Sequence, residues 1–410
     1  MEPSYQLSSL PAWMAYPETA RLFTVLSAEG GETAPRFVGG CVRDALMNRS
    51  VCDIDLATPL PPERVMELLA AADIKAVPTG LAHGTVTAIV DKTPFEVTTL
   101  RRDVETDGRH AKVSFTDNWQ EDAARRDFTV NALFCDMEGR VYDFFGGVQD
   151  LRQGVIRFIG DAETRIKEDY LRILRFFRFY AHYAGGTPPD ETALKACGKY
   201  AAEIPRLSKE RITHEFLRLL EAKTAVRALA LMEETGVLPF VAGQDAAPDV
   251  LEKLIGLEAY WDTDYDAMRR LAALFTADVE LFRLSRHEEK QLGMLRDPAL
   301  VKKIWPGMTE FEIRQFVYDN GNSLLRDMLL LAAAREGNTK TRDRYRHLYQ
   351  LATSCRLPRF PVLGKDVMAL GISEGKELGD LLRRVETWWR DKDFRPGRTD
   401  CLAYMKSLVE

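Results

Sequence analysis

No C-x-x-C pair, no run approaching eighteen apolar residues and no group of neighbouring histidines occurs in this chain of 410 residues. Its six cysteines are scattered, with Cys41 and Cys52 the closest two, which excludes a zinc ribbon or a redox dithiol and leaves reduced, buried thiols as the expectation. Without a long apolar run no membrane helix is expected. The opening MEPSYQLSSL lacks a basic region followed by an apolar core, so a cytoplasmic protein is expected. His83, His110, His182, His214, His287 and His347 lie far apart, and none is expected to be catalytic. Fixed-period repeats and low-complexity tracts are absent, which excludes a solenoid. Positive charge is not in excess either: the formal net charge of −6 argues against a uniformly basic nucleic-acid coat, while leaving room for a local positive track along a phosphate backbone.

What is present describes an ordinary globular protein, 46% apolar and 29% charged, too long for a single hydrophobic core. PETARLFTVLSA, from Pro17, has proline at a first helical position and apolar residues at helical spacing, so a leading helix is expected, ended by Gly30 and Gly31. From there to about residue 158, short β-branched or alternating runs (RFVGG, DIDLA, TVTAIV, FEVTTL, NALFCDM, VYDFF) are separated by turns and by helical stretches such as PPERVMELLAAAD. After Gly160 strand signals almost vanish and long amphipathic segments follow, beginning with DAETRIKEDYLRILRFFRFYAHYAG. The expectation is an α+β chain: a mixed-sheet head over 1–158 with its N-terminal helix, a helical neck over 159–240, and a helical body and tail over 241–410.

Two features of the head carry chemistry. RFVGGCVRDAL sets Gly39 and Gly40 between a short apolar strand and a helix, where backbone N–H groups can approach a phosphate and Arg43 can add a contact. A tight turn alone would account for the same glycines. Asp53 and Asp55 then form D-I-D; on a strand their carboxylates share one face, and two adjacent anions call for a cation. Glu96 in FEVTTLR adds a third carboxylate if its strand lies beside the first. Carboxylates with waters and substrate phosphates suit Mg²⁺, and paired metals suit phosphoryl transfer.

FVGGCVRD, DIDLAT, HGTV, FEVTTLR, RRDFTVNAL and KEDYLRILRFFRF follow one another in that order. Together they resemble the tRNA nucleotidyltransferase and poly(A) polymerase family of bacterial type, class II. The motifs span about residues 36 to 180, with weaker likeness at LSKERITHEFLRLL, FRLSRHEEK and PVLGKDVMALGISEGKELGDLL. The resemblance implies a nucleotidyltransferase head of the DNA polymerase beta type, followed by helical neck, body and tail that bind tRNA. It implies triphosphate contacts from Gly40 and Arg43, metal ligation by Asp53 and Asp55, a nucleotide contact from Arg126, and a sugar pocket shaped by Asp127 and Asn131. The H-D phosphohydrolase motif of some relatives is missing, so no second hydrolytic activity is expected.

The same resemblance gives a template role to the Asp and Arg of E-D-x-x-R, which match Glu168, Asp169 and Arg172. Three positions apart, Asp169 and Arg172 are expected on one edge of a helix. Cytosine and adenine each offer an amino donor beside a ring acceptor, whereas uracil and guanine present an oxygen acceptor beside a ring N–H. A carboxylate that only accepts and a guanidinium that only donates therefore fit C and A. With U or G, buried groups stay unpaired at roughly 1 to 3 kcal/mol each. Arg175 and Arg178 extend the basic character of the segment, and the resemblance gives them nucleotide or phosphate contacts; a solvated face is the plainer reading. RRDVETDGRHAKVSF, polar and glycine-containing, reads as a mobile loop beside the site, which in the family helps the change from C to A addition.

The expected activity is addition of C and A from CTP and ATP to the tRNA 3′ end. Poly(A) polymerase, and enzymes adding only C or only A, share the head motifs and remain alternatives. A catalytically silent RNA-binding protein is the rival from another class, opposed by the presence of Asp53, Asp55, Glu96 and Arg126.

Overall fold

A computed structural model describes residues 2–51, 53–107, 110–243, 246–275 and 282–409. It divides into two units: residues 1–245 with 279–283, and residues 246–278 with 284–410.

The first unit opens on an eight-stranded mixed sheet. In chain order its strands are β1 (Tyr5–Gln6), β2 (Arg36–Val38), β3 (Asp55–Thr58), β4 (Lys75–Gly80), β5 (Thr85–Val90), β6 (Thr93–Thr99), β9 (Leu133–Cys135) and β10 (Arg140–Asp143). They lie side by side as β1-β10-β9-β2-β3-β6-β5-β4. The pair β3 and β6 is parallel, bringing Asp55 opposite Glu96; the other described pairs are antiparallel.

Alternation along the strands sorts the two faces. Leu56 and Val97 join Leu22, Leu26, Val65 and Leu69 in one core, beneath α1 (Pro17–Leu26) and α3 (Pro62–Ala71). Ala57, Val38 and Phe134 enter a smaller core on the other side with Trp119 and Ala123 of α4 (Trp119–Ala124). Asp55, two residues before Ala57, belongs to this second side. α2 (Gly40–Leu46) starts directly after β2, and α5 (Gly147–Gln153) follows the last strand. The carboxylate of Asp143 accepts the N–H groups of Phe145, Gly147 and Val148 at 2.9–3.1 Å, which satisfies donors at the start of α5.

Three expectations are corrected here. RRDVETDGRHAKVSF holds a hairpin, β7 (Arg101–Asp107) with β8 (His110–Phe115), whose strands pair antiparallel; residues 108 and 109 lie outside the described ones. Only Asp55 of D-I-D is in a strand, Asp53 standing just ahead of it and exposed, so strand alternation does not orient the two together. The long segment from Asp161 is not one helix. It breaks between α6 (Ala162–Glu168) and α7 (Leu171–Tyr183) at Asp169, whose backbone is extended with φ −157° and ψ 108°. The Asp169 carboxylate takes the N–H of Leu171 at 3.1 Å, a local side-chain bond that competes with the helical one. Asp169 and Arg172 therefore do not share a helix edge.

Beyond α7 the described regular elements of the first unit are helical: α8 (Glu191–Lys199), α9 (Lys209–Leu220), α10 (Ala225–Glu234) and α11 (Leu238–Ala242), with short 3-10 turns. The second unit contains ten described helices between Pro248 and Ser407. One part is built around a buried ionic cluster in which Arg269 meets Glu258 at 2.7 Å and Asp327 at 2.6 Å. Another packs Val367, Leu381, Val385, Trp389 and Met405. Among the described residues no helix is long and apolar enough to cross a membrane. The described cysteines, Cys41, Cys135, Cys197, Cys355 and Cys401, are all free thiols.

Candidate active site

The site begins at the turn between β2 and α2. Gly39 has φ +69°, a conformation that side chains rarely adopt, and a Cβ there would stand 3.5 Å from Nη1 of Arg126 and 3.6 Å from the carbonyl of Asn131. The turn thus lies against Arg126, which is itself held by Asp122 through Nε at 3.3 Å and Nη2 at 2.9 Å. Burial pushes the Asp122 carboxyl up, but Arg126 and Arg125 outweigh it and hold it below the usual range.

Next to this turn, at the start of β3, the Asp55 carboxyl is pushed up to about 6, first by burial and then by the nearby charges of Glu96 and Asp53, with Arg126 opposing. Anions crowded in this way are short of positive charge, the deficit a divalent cation removes. Among the described residues no ready-made group of three metal-ligating side chains exists. That is compatible with Mg²⁺, which keeps several waters and needs only one or two carboxylates beside substrate phosphates. The donor set present fits such an ion.

Behind the turn a chain of polar contacts runs from the sheet into the helices. Arg43 is buried and donates from Nη1 to Oδ1 of Asn131 at 2.5 Å. It also pairs with Asp44 at 3.2 Å, and its guanidinium covers the Tyr183 ring at 4.3 Å. Asn131 donates to Oδ1 of Asp127 at 3.0 Å, and Oδ2 of Asp127 receives Nε of Arg175 at 2.7 Å. Glu215 of α9 then accepts from Arg178 at 2.5 Å and lies 3.5 Å from Arg175. Burial alone would raise the Asp127 carboxyl, yet Arg175, Asn131 and Arg172 keep it well below the usual range. For Arg178 burial prevails over Glu215 and lowers its pKa. Arg175 and Arg178 are thus engaged with acids and not spread over a solvated face, and Arg43 is an internal anchor more than a surface contact.

At the break between α6 and α7, Arg172 donates to the Glu168 carboxylate and, at 2.7 Å, to the carbonyl of Arg165. Asp169 receives Nη2 of Arg211 from α9 at 2.6 Å. A cavity of about 390 Å³ lies beside this turn, lined by Arg102 and Asp103 of the hairpin, Glu121 and Arg125, and Arg165 and Glu168. The structure therefore gathers the candidates into two clusters within the first unit: Gly39, Arg126, Asp53, Asp55 and Glu96 around the turn, and Asp169 with Arg172 at the helix break. Gly40, Arg43, Asn131, Asp127, Arg175 and Arg178 stand behind the first of these. Sequence reasoning did not single out Asp122, Arg211 or Glu215. The spacing of the last two, four apart on a helical pattern in LSKERITHEFLRLL, marks one helix face but names no partner.

Comparison with known proteins gives these clusters a context. Residues 35–157 match the model of the poly A polymerase head domain, and residues 188–245 match the probable RNA and SrmB-binding site of polymerase A. The chain is 37% identical over 386 residues to the mitochondrial CCA tRNA nucleotidyltransferase 1 of Danio rerio, covering 90% of this chain and 86% of that protein. It is 31% identical over 356 residues to a CCA-adding enzyme of Lactobacillus delbrueckii, covering 85% and 87%. The CCA-adding enzyme of Bacillus stearothermophilus, solved in complex with CTP, superposes with a TM-score of 0.71 at 27% identity, over 96% of this chain and 97% of that one.

Proposed function

Because the chain belongs to the family of tRNA nucleotidyltransferases and poly(A) polymerases, we propose that it builds the CCA end of tRNA. It adds C and A singly from CTP and ATP, without a nucleic-acid template, and releases pyrophosphate. The observation that carries this reading is the register of Asp55 with Glu96 on adjacent parallel strands, with Asp53 just ahead and the Gly39 turn lying against Arg126.

In the proposed mechanism Asp53 and Asp55 hold the divalent cation, taken to be Mg²⁺, with Glu96 beside them. When bound, that ion lowers the pKa of the attacking ribose hydroxyl and neutralises charge on the leaving pyrophosphate. The chain's own groups do the rest by placement. Backbone at Gly39 and Gly40 admits the triphosphate closely, because neither residue interposes a side chain. Arg126, fixed by Asp122, faces the same space and stabilises charge that develops on the phosphate oxygens. Arg43 orders the turn from beneath through Asn131, and Asp127 ties that anchor to Arg175, with Asn131 and Asp127 shaping the sugar pocket. Most of the rate gain comes from positioning and charge, not from a covalent intermediate.

Base choice falls to Asp169 as acceptor and Arg172 as donor, a pattern that complements C and A and leaves U and G with unpaired buried groups. The tRNA is gripped mainly through its shape and backbone by the helical parts, since tRNAs of many sequences must be served. The cytoplasm, where a tRNA pool is at hand, is the proposed compartment.

Incubating tRNAs that end before CCA, after C or after CC with CTP, ATP or both tests the proposal on a sequencing gel. Completion to CCA and arrest there supports it. A run of A residues points to poly(A) polymerase, arrest after CC or failure on the shorter ends points to a partial enzyme, and no metal-dependent pyrophosphate release rejects nucleotidyl transfer altogether.

A further inference from the structure

The base-selecting acid does not stand alone. Asp169 occupies the break between α6 and α7, where its backbone is extended. One carboxylate oxygen accepts the Leu171 N–H at 3.1 Å, and the other accepts Nη2 of Arg211 at 2.6 Å. Arg211 comes from α9, 42 positions further along the chain. One turn on, Glu215 fastens the same helix to α7 through Arg178 at 2.5 Å and Arg175 at 3.5 Å. α9 is thereby registered against α7 at a buried point, and Arg211 is presented to Asp169 from a rigid element.

From this arrangement we infer that Arg211 is a positioning residue for base selection: it holds the Asp169 carboxylate in the orientation that accepts the amino group of C or A. The inference rests on the reading of Asp169 given above. A carboxylate has lone pairs enough to keep Arg211 and still receive a base amino group. Its backbone and guanidinium partners set the direction of the lone pair that remains. With Arg211 removed, Asp169 is left with Arg175, which already feels its charge, and with Arg172, three residues on and at present paired with Glu168. A contact between Asp169 and Arg172 would occupy the acceptor and the donor with each other and erase the pattern that distinguishes C from U and A from G.

The test compares full-length wild type, Arg211→Ala, Arg211→Lys, Asp169→Ala and the double variant Arg211→Ala/Asp169→Ala. Steady-state incorporation of each of the four nucleoside triphosphates is measured on tRNAs ending before CCA and after CC, with a melting curve for each variant. Arg211→Ala is expected to lower the CTP-over-UTP and ATP-over-GTP preferences by about tenfold, the size of one charged hydrogen bond. Arg211→Lys restores much of the preference, and in the Asp169→Ala background Arg211→Ala lowers it no further. A merely structural role would slow all four nucleotides alike and leave the ratios unchanged, which overturns the inference. Should the alanine variant lose its melting transition, Arg211→Gln, which keeps a polar side chain without the charge, replaces it in the same comparison. If Asp169→Ala relaxes the choice and the Arg211 variants do not, this inference fails and the reading of Asp169 stands. If Asp169→Ala leaves the choice intact, that reading fails and this inference falls with it.

Discussion

Asp55 and Glu96 face each other across the parallel pair of strands in the head sheet, and the negative charge of Glu96 is, after burial, the strongest influence raising the Asp55 carboxyl. An acid pair in register on adjacent parallel strands adds nothing to folding by itself, since like charges side by side are unfavourable. A divalent cation held at the site, as proposed above, would relieve that repulsion.

Asp53→Ala and Asp55→Asn should each reduce incorporation on the order of a thousandfold, the scale on which removal of preorganised charge acts. Their melting temperatures should match wild type or exceed it, because each change relieves repulsion. Mg²⁺ should raise the melting temperature of wild type and leave that of the combined Asp53→Ala/Asp55→Asn variant unmoved; an equal rise in both would remove the metal from these residues. Chelation should abolish activity of wild type reversibly.

Asp127→Ala should destabilise the protein by about 3 kcal/mol in urea unfolding, because it strands Arg175 and Asn131 in a buried network. The pH dependence follows from the same contact. Asp127 and Asp122 both have folded pKa values below the ordinary carboxylate value of 3.8. Their contribution is complete above that value and is lost as pH falls through it and beyond. Wild type should therefore lose stability steeply below about pH 4, and Asp127→Asn should show a shallower decline over the same range.

Gly39→Ala should cost at least about 1 kcal/mol of stability, because alanine is strained at a positive φ. Its Cβ would stand in ordinary van der Waals contact with Nη1 of Arg126. The apparent KM for CTP and ATP should rise with a smaller change in the melting temperature. An unaltered KM would separate the turn from triphosphate binding.

Affinity for tRNA should fall at least about tenfold between roughly 50 and 200 mM salt, as released counterions require. Filter binding or anisotropy across a salt series reads it directly. A flat series would contradict a grip through the phosphate backbone.

Much of the head was legible because its signals are local. Alternation in TVTAIV and FEVTTL, the proline at the start of α1 and the double glycine after RFV each depend on neighbours within a few residues. The hairpin formed by β7 and β8 was misread as a loop because its residues are mostly charged or polar and RRDVETD carries no apolar alternation. The break at Asp169 was hidden because a single side-chain bond to Leu171 N–H overrides an otherwise continuous helical pattern.

The order of motifs in the chain determined the family, the chemistry and most of the residues to suspect, since each motif is written in consecutive positions. Only tertiary structure decided which of them meet. Arg43 reaches Asn131 across 88 positions, and Arg211 reaches Asp169 across 42. No periodicity encodes such pairings. They arise when the strands take their places in the sheet and α9 packs on α7, and the charges, brought together out of water, must then find one another.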